Sequence, residues 1–189
     1  MKKIILLIFT ILSLFAIEKE SISTVMENKI NEATSIITQE DLTVETKAQK
    51  ILPLFDNIFD YRLMTKLSLG KKNWAKMSPK QKEEFTLKFI KHLKNSYVDK
   101  ISLYTDEKLS IIKLEEVSKK RILLFTKLIG SKDSYDITYK FYKSKNNDWL
   151  IYDVDIIGIS LIQIYRSQFN NILQNESYAT LLSKIEKKK

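Results

Sequence analysis

The 189-residue chain has no cysteine. That excludes thiol catalysis, thiolate metal sites, any disulfide, and a mature N-terminus carried on a lipidated cysteine. It has three glycines and two prolines. Gly70, Gly130 and Gly158 stand too far apart to form a phosphate-cradling loop. One histidine, His92, leaves little scope for imidazole catalysis or a histidine-rich metal site, and its place at the edge of an apolar stripe predicts a surface or boundary position. After the first residues no apolar run approaches the roughly 20 residues of a spanning helix. The remainder predicts a chain that is free in the compartment it enters and that must rely on its hydrophobic core, for which this length suffices.

What is present begins at the N-terminus. Lys2 and Lys3 precede an apolar or small run from Ile4 to Ile17, and no acidic residue appears before Glu18. That pattern predicts a secretory signal over residues 1–16, cut after Ala16, with an uncleaved amphipathic anchor as the alternative. Residues 17–189 then form one domain. The formal charge is +9, and two lower without Lys2 and Lys3. Lysines are spread along the whole chain, with one cluster at Lys187–Lys189, and no basic-aromatic motif appears. No nucleic-acid partner is therefore expected, whereas an anionic surface or acidic partner is compatible.

Periodicity orders the domain. Helical spacing covers residues 21–40, then 43–57 with an interruption at Pro53, then 61–69 ending at Gly70. Ser78-Pro79-Lys80-Gln81 is a strong helix start, with Ser78 and Gln81 able to form a capping box. The helix that follows carries Phe85, Phe89, Leu93, Tyr97 and Ile101 at steps of four and is expected to pack on a sheet. From Leu109 the period becomes two, giving strands at 109–114, 121–129, 135–142 and 149–155 joined by short turns. Ser160 opens a further helix with Leu161, Ile164, Tyr165, Phe169 and Ile172 inward, and a last helix covers 178–186. Helices, then an antiparallel meander, then helices predict an α+β domain with helices over one face of a curved four-stranded antiparallel sheet.

Two chemistries compete. Asp153 and Asp155 stand two apart on one strand, so they share a side; in a dry pocket one could act as a base. Against this stands a large apolar inventory, with 11% aromatic residues. From the helices come Phe55, Ile58, Phe85, Phe89, Leu93, Tyr97, Leu161, Tyr165 and Phe169; from the sheet come Tyr135, Tyr139, Phe141, Trp149 and Ile151. A filled core and a lined cavity draw on the same residues, and composition does not separate them.

Three stretches together resemble one family. They are Phe59-Asp60-Tyr61-Arg62-Leu63-Met64 leading to Leu69-Gly70 and Trp74; Ser78, Gln81, Phe85, Phe89, Leu93 and Tyr97; and Trp149-Leu150-Ile151-Tyr152-Asp153-Val154, Gly158-Ile159-Ser160-Leu161 and Tyr165-Arg166-Ser167-Gln168-Phe169. In this order they resemble the MlaC or toluene-tolerance family of periplasmic phospholipid-binding proteins, over about residues 22–185. The chain departs from the family at Ile157, where an acidic residue often precedes the glycine. The resemblance implies a nuclear-transport-factor-like cone and a periplasmic, non-enzymatic phospholipid carrier that maintains outer-membrane lipid asymmetry. It implies shuttling between an outer-membrane MlaA-type lipoprotein and an inner-membrane MlaD-type transporter component, without cofactor or metal. The acyl chains would then be held by Phe55, Ile58, Phe85, Phe89, Leu93, Tyr97, Tyr139, Phe141, Ile151, Leu161, Tyr165 and Phe169, with Arg166 as head-group candidate. An isomerase or dehydratase using Asp153 or Asp155 is the competing reading, and a docking protein with a filled core the third.

Overall fold

The computed structural model describes residues 17–187 apart from 103 and 105. The expected signal segment, 1–16, lies outside the described residues. Helices α1 (Ile22–Ile37), α2 (Val44–Leu54), α3 (Tyr61–Leu69), α4 (Lys71–Lys76) and α5 (Pro79–Ser102) precede the sheet. Strands β1 (Lys108–Ser118), β2 (Arg121–Ile129), β3 (Ser134–Lys143), β4 (Trp149–Ile156) and β5 (Ile159–Ser160) follow, then α6 (Leu161–Asn175) and α7 (Tyr178–Lys187). The sheet is an antiparallel meander in the order β1-β2-β3-β4-β5. The fold is thus the expected α+β cone, with a fifth strand of two residues added by a tight hairpin at Ile157-Gly158. Among the described residues no helix is long and apolar enough to cross a membrane.

The helix boundaries have local causes. Thr43 caps α2 by accepting from Thr46 N at 3.2 Å, and α2 ends one residue after Pro53. Asp60 caps α3 through Leu63 N at 2.8 Å, and Gly70 closes it at φ +81°. The capping box of α5 is formed as expected: Ser78 N donates to Gln81 Oε1 at 2.9 Å, and Gln81 N to Ser78 Oγ at 3.2 Å.

The buried side chains fall into two clusters. In the first, α1 lays Ile22, Met26 and Ile30 on the sheet residues Ile122, Leu124, Phe141, Trp149 and Ile151, with Ile58 among them. The second is helical: Met64 and Leu69 of α3, Phe85, Phe89 and Leu93 of α5, Ile162, Tyr165 and Phe169 of α6, and Leu181, Leu182 and Ile185 of α7. Helix α5 therefore packs on α2, α3 and α7, not on the sheet as its stripe suggested. Ile164, expected inward, is 40% exposed, and Ile162 takes the inward place. Phe59 packs against both clusters.

Candidate functional site

The inner face of the sheet is covered along only part of its length. On β2 the inward residues Ile122, Leu124 and Thr126 are buried, the first two in the cluster with α1, and Leu128, next on the same face, is not buried. On β3 the same transition runs from Phe141 through Tyr139 and Ile137 to Tyr135, which is 41% exposed. Past these buried residues a cavity of about 680 Å³ opens between the strands, the end of α1 and helices α2, α3 and α5. Leu128, Tyr135, Ile137, Tyr139, Val154 and Ile156 form its sheet wall. Ile37, Ile51, Leu52, Phe55, Phe59, Tyr61, Met64, Leu93 and Ile101 form its helical wall, and Lys94, Tyr104 and Glu107 add polar atoms.

The segment between α2 and α3 positions this wall. Asp60 N donates to Ile151 O at 2.9 Å, and Ile151 N donates to Ile58 O at 2.7 Å. Residues 58–60 are thus stitched to β4 like a short extra strand, which fixes Phe55, Phe59 and Tyr61 at the cavity. Tyr142 donates its hydroxyl to the Asp60 carboxylate, so the residue that caps α3 also ties it to β3. Burial, reinforced by that hydrogen bond, pushes the Tyr142 phenol up to about 12. Burial alone pushes the Tyr139 phenol to about 12, so Tyr139 is a neutral hydroxyl on an apolar wall.

Of the twelve side chains expected to line a pocket, the structure places Phe55, Leu93 and Tyr139 on the cavity wall. Ile58, Phe141 and Ile151 are consumed by the cluster under α1. Phe85, Phe89, Tyr165 and Phe169 are consumed by the helical cluster, where Phe89 and Tyr165 meet edge-on at 4.9 Å, and Leu161 packs against it. The first three stand away from the wall because α1 covers them, and the other five because α5 and α6 bury their stripes against each other and α7. The side chain of Tyr97 lies outside what is described. Arg166 is also absent from the wall: its Nε donates to Leu67 O at 2.8 Å, closing a carbonyl in the last turn of α3. Two of the missed lining residues carried a signal, since Leu128 and Ile137 continue the period-two pattern of the strands at 121–129 and 135–142, whereas Ile156 lies beyond the expected strand and out of its alternation.

Asp153 and Asp155 stand on the opposite face of the sheet. Register passes from Lys140↔Asp153 to Phe141↔Ile151, so Tyr152 is an extra residue, a β-bulge. An unbroken alternation would place both aspartates on the side of Trp149 and Ile151. The bulge turns them outward and gives the inner face to Val154 and Ile156. Asp153 accepts from Ile162 N at 3.2 Å, Val154 N at 2.9 Å and Ser160 Oγ at 2.7 Å, and Lys140 bridges it (3.0 Å) to Asp155 (2.6 Å). Asp153 is thus a fastener for the start of α6, and neither aspartate can serve as a base in the cavity.

A second recess of about 460 Å³ lies among α5, α6 and α7, lined by His92, Gln168, Phe169, Asn171, Ile172, Lys184 and Ile185. Its lining has a larger polar share. His92 is buried rather than superficial, with Nδ1 3.0 Å from Ile185 O. Among the described residues no cluster of acidic or histidine side chains could hold a metal ion.

A family model described as MlaC protein matches residues 27–187. No curated protein matches this chain. Among solved structures, the fold is similar to that of a phospholipid-binding protein from Ralstonia solanacearum determined in complex with a phospholipid. The TM-score is 0.71 at 19% identity, with 90% of this chain and 96% of that one covered.

Proposed function

The chain belongs to the MlaC family, and from that premise we propose that it carries phospholipid, holding acyl chain in the cavity between α5 and the sheet. The observation that carries this reading is the cavity itself: about 680 Å³ with a mostly apolar wall of branched and aromatic side chains. A methylene is close in size to a water molecule, whose share of liquid volume is about 30 Å³, so the cavity has room for roughly 22 methylenes. At about 0.8 kcal/mol each, withdrawing these from water is worth on the order of 18 kcal/mol. Free lipid would cross an aqueous compartment very slowly against such a barrier, and a carrier removes it. The wall offers no base and no nucleophile from Asp153 or Asp155, which favours carriage over catalysis. Phe55, Leu93 and Tyr139, with the neighbouring strand residues Leu128, Ile137 and Ile156, are the side chains assigned to the acyl chain.

The carrier works in the periplasm, exported by residues 1–16, and exchanges lipid between an outer-membrane MlaA-type lipoprotein and an inner-membrane MlaD-type component, so maintaining outer-membrane lipid asymmetry. Release follows docking that shifts the helices, because no reacting group is needed to break the apolar contacts. The test is to purify the mature protein from a bacterial host, extract it with organic solvent and analyse the extract by mass spectrometry. Phospholipid is expected at stoichiometric amounts. Its absence, together with no uptake from vesicles, would sink the reading.

A further inference from the structure

Among the described residues, two charged side chains lie on the wall of a mostly apolar cavity, Lys94 and Glu107. Lys94 is built into a defined group. Its Nζ stands 2.6 Å from Asp56 Oδ1 and 2.7 Å from Oδ2, and lies 5.2 Å from the centre of the Tyr61 ring. Tyr61 in turn donates its hydroxyl to Asp56 Oδ1 at 3.2 Å. Tyr61 and Lys94 both line the cavity, whereas Asp56 is outside the lining. The side chain of Lys94 is 26% exposed and that of Asp56 43%, so the pair sits where the cavity edge meets solvent. The lysine stem runs along apolar wall and its charge reaches the rim.

We propose that Lys94 and Asp56 form the head-group site, and that this site selects a zwitterionic phosphoethanolamine over an anionic head group. The inference rests on the carrier reading above and adds the head-group class. The reason is charge balance. A lipid whose chain enters the cavity brings its phosphate to the rim, where Lys94 offers a cation. The phosphate takes Lys94 from Asp56, leaving a carboxylate beside a second negative charge. An ethanolamine ammonium answers that carboxylate with hydrogen-bond donors, so one ion pair becomes two and the site stays neutral. A phosphoglycerol head group brings no cation, and Asp56 then repels it. A choline head group brings the charge without N–H donors and is intermediate.

The experiment incubates the full chain with vesicles containing equal parts phosphatidylethanolamine, phosphatidylcholine and phosphatidylglycerol with identical acyl chains, then quantifies bound lipid by mass spectrometry. The wild type is expected to enrich phosphatidylethanolamine over phosphatidylglycerol about fivefold, the scale of one partly exposed charge contact. D56N is expected to move that ratio about fivefold toward phosphatidylglycerol, and K94M to lower retention of both and erase the preference. K94R keeps the cation and is expected to keep the preference, which separates charge from packing. Lipid loading with the same head-group ratio in wild type, D56N and K94M overturns the head-group site and leaves the carrier reading standing. No lipid in any variant or in wild type overturns both.

Discussion

Asp153 receives two backbone N–H groups, one hydroxyl and one ammonium while only 5% exposed, so its carboxylate is held by partners from four elements, β3, β4, β5 and α6. Removing it leaves two amide donors and the Ser160 hydroxyl without their acceptor, and Lys140 with Asp155 alone. Asp153→Ala is therefore expected to cost about 3 kcal/mol in urea denaturation, with α6 the first region to lose hydrogen-exchange protection. Ile157 presents the opposite case. It sits at φ +53° beside Gly158 at φ +74°, both central positions of the β4–β5 hairpin, and its side chain is 61% exposed. A β-branched residue in that region is strained, and Asn is the usual occupant before glycine in such turns. Ile157→Asn is expected to raise the urea midpoint by an amount equal to about 1 kcal/mol, and a lower midpoint would show that the isoleucine is held by contacts outweighing its strain. The tyrosines give a pH signature. Tyr139, Tyr142 and Tyr178 are all raised to about 12, chiefly by burial, with the Asp60 hydrogen bond adding at Tyr142 and the Glu84 charge at Tyr178. A phenol whose folded value lies above its unfolded value of about 10 contributes stability that is whole below pH 10 and is lost as pH climbs toward 12. Ultraviolet titration should therefore find these three tyrosines ionising late, and stability should fall across that window.

At the scale of elements, the start of α5 shows how much a local pattern can carry. Ser78-Pro79-Lys80-Gln81 states the cap in four letters, and both reciprocal bonds form. Ser78→Ala is expected to cost about 1 kcal/mol, seen as a fall of roughly 3 °C in melting temperature for a chain of this size. Strand order, the antiparallel meander and all the long helices were legible for the same reason: caps, turns and periods are written in adjacent residues. What was not legible depends on non-adjacent ones. The stripe Phe85–Phe89–Leu93 is one pattern in sequence, yet Phe85 and Phe89 meet α6 while Leu93 also reaches the cavity. A period of 3.6 identifies a buried face without naming what buries it. Tyr152 is the sharper example. Nothing in Trp149–Ile156 marks one residue as extra, and that single residue reverses the face of Asp153 and Asp155. The bulge follows Ile151, the residue at which β4 pairs with two neighbours, β3 and the 58–60 segment. Helix α4 likewise escaped notice, its six residues being too short to show a period.

At the scale of the whole molecule, the division into two buried clusters bridged by Phe59 separates stability from capacity. Phe89 is 1% exposed within the helical cluster, and Phe89→Ala is expected to cost about 4 kcal/mol. Leu128→Trp instead places bulk in open cavity, so it should leave the melting temperature within a few degrees while abolishing lipid uptake from vesicles; uptake at the wild-type level would move the ligand elsewhere. Capacity leads to the last expectation. One 16-carbon chain needs roughly 480 Å³ and two need roughly 960 Å³ on the scale of about 30 Å³ per methylene. The cavity of about 680 Å³ therefore contains one chain fully and a second only in part. A monoacyl phospholipid fits the walls as they stand, whereas a diacyl phospholipid requires roughly 280 Å³ more. The boundary expected to yield is α2 and the second half of α5, whose Ile51, Leu52, Leu93 and Ile101 face the sheet across the cavity. Both ligands at about a hundred times their dissociation constants should stabilise the fold by about 2.7 kcal/mol, or roughly 8 °C. Only the diacyl lipid should alter hydrogen exchange in α2 and the second half of α5. Identical exchange patterns for the two lipids would mean that the second chain stays outside, and that release requires no movement of these helices.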